Sequence, residues 1–112
     1  NDTFTTDIAG AYGIAELHSL SRRFDCKEDS VTVCDTISYE GKGKITERLV
    51  CAFEPIQKNE GILSVHNCEI AYEKENVASV SIARHTFNGK PDCFTIDFEL
   101  KDGAQSFTFT VK

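Results

Sequence analysis

Apolar and polar residues alternate along most of this chain. Phe94, Ile96, Phe98 and Leu100 take turns with Thr95, Asp97 and Glu99, and Phe107, Phe109 and Val111 take turns with Thr108 and Thr110. Val31, Val33, Ile37 and Tyr39 share one parity, interrupted by Asp35. Ile45, Leu49, Cys51 and Phe53 share another, with Glu47 between them. A period of two sends one set of side chains to a core and the other toward water, as in a half-buried strand. Turn chemistry falls between the runs: Glu28-Asp29-Ser30, Gly41-Lys42-Gly43, Asn59-Glu60-Gly61, Asn88-Gly89 and Lys101-Asp102-Gly103. Asn-Gly and Asp-Gly accept the positive φ that tight hairpin turns need. The pattern predicts strands at 3–7, 14–25, 31–39, 44–54, 62–72, 77–87, 93–100 and 105–111. Only Ile8 to Leu20 is ambiguous; its alanines suit a helix, and Gly10 and Gly13 weaken that reading. The expected fold is all-β, an antiparallel two-sheet β-sandwich of about eight strands.

Composition agrees with the alternation. Seven Val, nine Ile and ten Thr stand against five Leu and no Met, and β-branched side chains fit a pleated sheet better than a helix. The 112 residues suit a single domain, 1–112. A start at Asn1 and the lack of Met predict a fragment of a longer chain. The net charge of −6 argues against nucleic acid and anionic membranes as partners. No apolar run reaches the ~18 residues of a transmembrane helix. Five cysteines cannot all pair within the chain, and Cys26, Cys34, Cys51, Cys68 and Cys93 include no CxxC spacing. Small buried thiols are expected, and the odd count favours a reducing, cytoplasmic setting without excluding export.

Candidate chemistry is sparse. His18, His66 and His85 fall on three predicted strands with no metal-ligand spacing, so surface or half-buried roles are expected. His66 and Asn67 are adjacent, and on a strand they would face opposite sides. Tyr12, Tyr39 and Tyr72 could stack on sugar rings if exposed; Tyr39 shares the core parity, and Tyr72 ends a strand where partial exposure is expected. Arg22 and Arg23 point to opposite faces and would meet water or Asp25, Glu28 and Asp29. Lys42 and Lys44 form the other basic cluster. Glu73/Glu75 and Asp97/Glu99 each share a strand face, and water-facing positions are expected for both pairs. No phosphate loop and no GxSxG is present. These residues supply no catalytic, cofactor-binding or metal-binding candidate.

The stretch from Asp7 to Pro55 carries a further signal. It reads DIAGAYG, then LHSLSRRF closing on Arg23-Phe24, then SVTVCDTI with Asp35 after the apolar run, then ITERLVCAFEP. In this order it resembles the C-terminal sandwich region of the heparinase II/III-like polysaccharide lyases. The second half, from GILSVHNCEIAYE to FTFTVK, matches only as generic sandwich strands. The resemblance implies an eliminase of uronate-containing polysaccharides. A base removes the proton α to the uronate carboxylate, another group neutralises that carboxylate, and the glycosidic oxygen leaves from C4. It places the catalytic Asn and Tyr in an upstream helical toroid. It places the catalytic His and the metal ligands mainly in an early β region with a Gly-His-x-His-x-Asp-like segment. This sequence has no such segment, and His66-Asn67 falls after the ITERLVCAFEP strand, so no catalytic residue is carried over. The implied partners are the remainder of the parent lyase, toroid and early β region, with acidic polysaccharide reached through the parent. Alone, the chain would be a scaffold without lyase activity. Two other functions compete: an independent carbohydrate-binding or cell-surface adhesion module, and a small secreted interaction domain. Asp35, an acid within an apolar parity, is expected to be paired with Arg22 or Arg48, because an unpaired buried carboxylate is too costly.

Overall fold

A computed structural model of the chain describes residues 2–7, 17–39 and 44–112, with side chains for 20–39 and 44–112. Ten strands account for most of these described residues. They are β1 (Asp2–Asp7), β2 (Leu17–Cys26), β3 (Val31–Tyr39), β4 (Thr46–Cys51) and β5 (Pro55–Asn59). Then come β6 (Ile62–Val65), β7 (Cys68–Tyr72), β8 (Val77–Phe87), β9 (Lys90–Leu100) and β10 (Ser106–Val111). One turn of 3-10 helix, Lys74–Asn76, joins β7 to β8. The strands form a seven-stranded sheet in the order β1-β2-β3-β10-β7-β6-β5 and a three-stranded sheet in the order β4-β9-β8. Every pairing is antiparallel. The chain is therefore an all-β, two-sheet antiparallel sandwich.

Most predicted strands lie where the alternation put them. The exceptions have local causes. The run 62–72 is two strands, because His66 takes a positive φ of 54° and turns the chain at His66-Asn67. The run 44–54 stops at Cys51, where Ala52 and Phe53 bend. β5 escaped the pattern altogether: Gln57, Lys58 and Asn59 mask any alternation, and Pro55 argues for an edge. An edge is where β5 lies. These corrections raise the count from about eight to ten. The Gly41-Lys42-Gly43 turn, Tyr12 and the ambiguous start at Ile8 lie outside the described residues.

The small sheet covers the large one through β9. Ile96, Phe98 and Leu100 are buried, and they meet Val33, Ile37, Leu63, Ile70, Phe107 and Phe109 of the large sheet. Phe98 sits at the centre, with ring centroids 5.0 Å from Tyr72 and 4.9 Å from Phe107. β10 pairs with β3 on one side and β7 on the other, so it joins the two halves of the large sheet. At the β5–β6 turn, Gly61 has φ 85°, and a Cβ there would lie 3.4 Å from the Tyr72 carbonyl oxygen. A side chain would be both strained and crowded at that position.

Candidate functional site

Three strands from two sheets bring charge into the interior. On β2, Leu20 and Phe24 pack against the core, and Arg22 shares their parity. On β3, Val33 and Ile37 are buried, and Asp35 lies between them on the same face, 1% exposed. Ile45 just before β4 and Leu49 on it pack against the core, and Glu47 lies between them, its side chain 11% exposed. Arg22 stands directly opposite Asp35 in the β2–β3 register. Its Nε donates to Asp35 Oδ1 at 2.7 Å and its Nη2 donates to Asp35 Oδ2 at 2.7 Å, a two-pronged contact. The same Nη2 reaches Glu47 Oε2 at 3.4 Å, on the other sheet. Asp35 also faces Phe107 in the β3–β10 register, and Glu47 faces Phe98 in the β4–β9 register. The ionic cluster thus borders the aromatic centre of the core.

The two carboxyls are driven apart. Burial raises Glu47, its hydrogen bond with Asp35 and the Asp35 charge add to that, and Arg22 opposes, leaving Glu47 pushed up to about 8. Burial also raises Asp35, but the Arg22 and Glu47 hydrogen bonds and the Arg22 charge outweigh it and hold Asp35 below its ordinary value. The opposed shifts favour a carboxylate at Asp35 and a protonated acid at Glu47. Among the described residues, no buried side-chain nitrogen or oxygen lacks a hydrogen-bond partner. That is the condition under which charge can be tolerated in a core.

Arg22 is therefore the partner of Asp35, one of the two that the sequence offered. Arg48 instead bonds Asp97 across the outer face of the small sheet, at 2.7 and 2.9 Å. Arg22 is half-buried and reaches inward to Asp35, whereas Arg23 is exposed. Lys44 meets Glu99 at 3.4 Å, so Asp97 and Glu99 both sit in surface ion pairs. Glu73 precedes the 3-10 turn and accepts a hydrogen bond from Asn76 at 2.9 Å, which takes the Glu73/Glu75 pair off any strand. Glu47 was the omission. It interrupts an apolar parity just as Asp35 does, and that shared irregularity on successive strands was the available signal.

The remaining candidates are dispersed. His85 on β8 lies 3.0 Å through Nε2 from Thr95 Oγ1, and it helps to cover Thr95, which is buried although its parity pointed to water. His66 stacks on Phe53 with centroids 4.1 Å apart and planes 10° apart. His66-Asn67 forms a turn, so the expectation of opposite strand faces does not apply. For His18 only the backbone, in β2, is described. Tyr39 and Tyr72 are half-buried and pack against the core, and Gln57 Nε2 donates to the Tyr72 hydroxyl at 3.1 Å. Cys26, Cys34, Cys51 and Cys93 are half-buried free thiols rather than fully buried ones, and Cys68 is exposed. Burial pushes the Cys51 thiol up. Among the described residues, no three His, Cys, Asp or Glu side chains are grouped to hold a metal ion. Among those residues, too, no helix is long and apolar enough to cross a membrane. Neither a scan against protein-family models nor a search of curated proteins finds a match to this chain.

Proposed function

We propose that this chain is the non-catalytic C-terminal β-sandwich of a heparinase II/III-like polysaccharide lyase. Its work is mechanical. It supplies a stiff two-sheet body against which the helical toroid and early β region of the parent enzyme are held. The observation that carries this reading is the convergence of Arg22, Asp35 and Glu47. The resemblance rests on a strand ending in arginine, a strand with an acid after its apolar run, and the ITER strand. One charged residue from each of those three strands, Arg22, Asp35 and Glu47, joins a common cluster. The arginine that takes part is Arg22, one position before the Arg23-Phe24 close of the motif. Exposed Val50, Phe53 and Ile56 fall within the short stretch 50–56 and offer apolar surface for a covering segment.

The competing glycan-module reading needs an exposed tyrosine row of Tyr12, Tyr39 or Tyr72, and Tyr39 and Tyr72 are half-buried against the core. The competing secreted-domain reading needs disulfides, and all five cysteines are free. The test has two parts. The purified chain is incubated with uronate-containing polysaccharides and assayed for unsaturated uronate ends, and the coding sequence on the 5′ side of Asn1 is read. We expect no product from the chain alone, together with an upstream region encoding a helical toroid and a His-rich segment. Turnover by the chain alone, or an upstream sequence without a toroid, sinks the proposal.

A further inference from the structure

The charge count at the interior cluster has a consequence that does not depend on the parent enzyme. One guanidinium faces two carboxyls there. Arg22 contacts each oxygen of Asp35 once at 2.7 Å, leaving Asp35 further acceptor capacity, and touches Glu47 only at 3.4 Å. Asp35 is fully enclosed and Glu47 nearly so. Two largely enclosed carboxyls reached by the same Arg22 Nη2 are strongly disfavoured from both ionising against one cation. The surroundings offer no further relief. Along this segment the inward neighbours of Glu47 are Ile45, just before β4, and Leu49 and the half-buried Cys51 thiol on it. From β9 it faces Phe98, while Asp97 and Glu99 turn to the outer surface, where Arg48 and Lys44 hold them. β3 offers Asp35, Ile37 and Tyr39, β2 offers Arg22, and β10 offers Phe107 and Phe109. Among the described residues, Arg22 is thus the one cation that faces the pair.

We propose that Asp35 and Glu47 share a single proton across the two sheets, and that the resulting clamp is a pH-responsive latch that holds edge strand β4 closed when protonated and loosens it when the proton is lost. β4 is the element free to respond. Among the described residues it lies at the edge of its sheet and pairs only with β9, so no second ladder among them resists its separation from β3. Losing the proton replaces an acid–carboxylate hydrogen bond with two buried like charges, one anchored on each sheet.

The sign of the effect is fixed by the two shifts. Glu47 lies above its ordinary 4.5 in the folded chain, so the folded state keeps a proton that the unfolded state releases. Its contribution is complete below about 4.5 and is lost progressively as pH rises to about 8. Asp35 is shifted the other way, so its contribution is present above 3.8 and is lost as pH falls through its depressed folded value. Stability contributed by the latch is therefore greatest on the acidic side of neutrality.

The test uses the whole chain. Carbon-detected NMR of selectively labelled Glu follows the Glu47 carboxyl directly in the unmodified protein, with a midpoint expected near 8. Thermal unfolding is measured from about pH 5 to about pH 9 for the wild type and for Glu47→Gln, whose amide mimics the protonated acid. The wild-type midpoint temperature should fall over that range, and the variant should lose most of that slope. Amide protection across Thr46–Cys51, compared between the two proteins at equal pH, should match in acid and be at least tenfold lower in the wild type in alkali. A Glu47 midpoint in the ordinary carboxyl range overturns the shared proton. Equal pH slopes, or equal β4 protection in alkali, overturn the latch. Should Glu47→Gln fail to fold, the wild-type titration still decides the shared proton on which the latch depends.

Discussion

Two arginine–aspartate pairs in this sandwich have nearly the same geometry and opposite surroundings. Arg22 stands across from Asp35 on β2 and β3, and Arg48 stands across from Asp97 on β4 and β9. In both, the guanidinium grips both carboxylate oxygens, at 2.7 and 2.7 Å inside and at 2.7 and 2.9 Å outside. The inner side chains are 32% exposed at Arg22 and 1% at Asp35, the outer ones 59% at Arg48 and 27% at Asp97. Both aspartates are held below their ordinary value, Asp97 chiefly by its hydrogen bond to Arg48 and Asp35 by Arg22 against the opposing effect of burial. Hydrogen-bond geometry is thus a poor guide to what a pair contributes. The medium around it decides, because water screens the outer pair and supplies the alternative partners that the inner one lacks.

The largest expected effect comes from breaking the inner pair on one side. Asp35→Ala strands the Arg22 charge and leaves Glu47 without its acceptor. Removing one member of a buried pair costs ~3–5 kcal/mol, and chemical unfolding of the variant should show a loss of that order. Unchanged stability would mean that the inner pair is as weakly coupled as the outer one. A second variant sharpens the point. Replacing all three residues together, Arg22→Met, Asp35→Leu and Glu47→Leu, removes every charge that needs a partner. Buried ionic triads replaced by well-packed apolar groups come out neutral or more stable by ~1–4 kcal/mol, so the triple variant should recover most or all of the single-variant loss. Its stability should also lose the pH dependence that Glu47 and Asp35 supply.

The sequence made one of these pairs legible and hid part of the other. Asp35 stood out because Val31, Val33, Ile37 and Tyr39 define an inward stripe that it interrupts, and a buried acid must find a cation. Alternation also located β3, β8 and the inward face of β9 in full, since Phe94, Ile96, Phe98 and Leu100 are all buried as their parity requires. Period two identifies a face but does not say which strands become neighbours across the sandwich. Nothing local in ITERLVC says that β4 leaves the sheet of β3 to pair with β9, and that crossing is what brings Glu47 over Asp35. The strand break at His66 was hidden for another reason. A positive φ at a non-glycine residue leaves no mark in a hydropathy pattern, and Asn67 is a weaker turn signal than a glycine. Thr95 was misplaced because outer-face burial depends on His85 of a neighbouring strand.

The smallest effect is the most demanding check on the comparison. A double-mutant cycle on Arg48→Ala and Asp97→Ala isolates the outer pair from whatever each side chain does alone. Its partners are exposed, so each single variant leaves the other residue facing water rather than trapped in an apolar interior. The measured coupling should be a small fraction of that from the equivalent cycle on Arg22 and Asp35. It should also fade in ~1 M salt, where the screening length is ~3 Å. The inner coupling, enclosed between the sheets, should keep most of its strength in the same salt. Two couplings of equal size, or an inner coupling that fades in step with the outer, would show that the sandwich does not exclude solvent at Asp35. The interior cluster would then be a surface pair in its energetics, whatever its place in the fold.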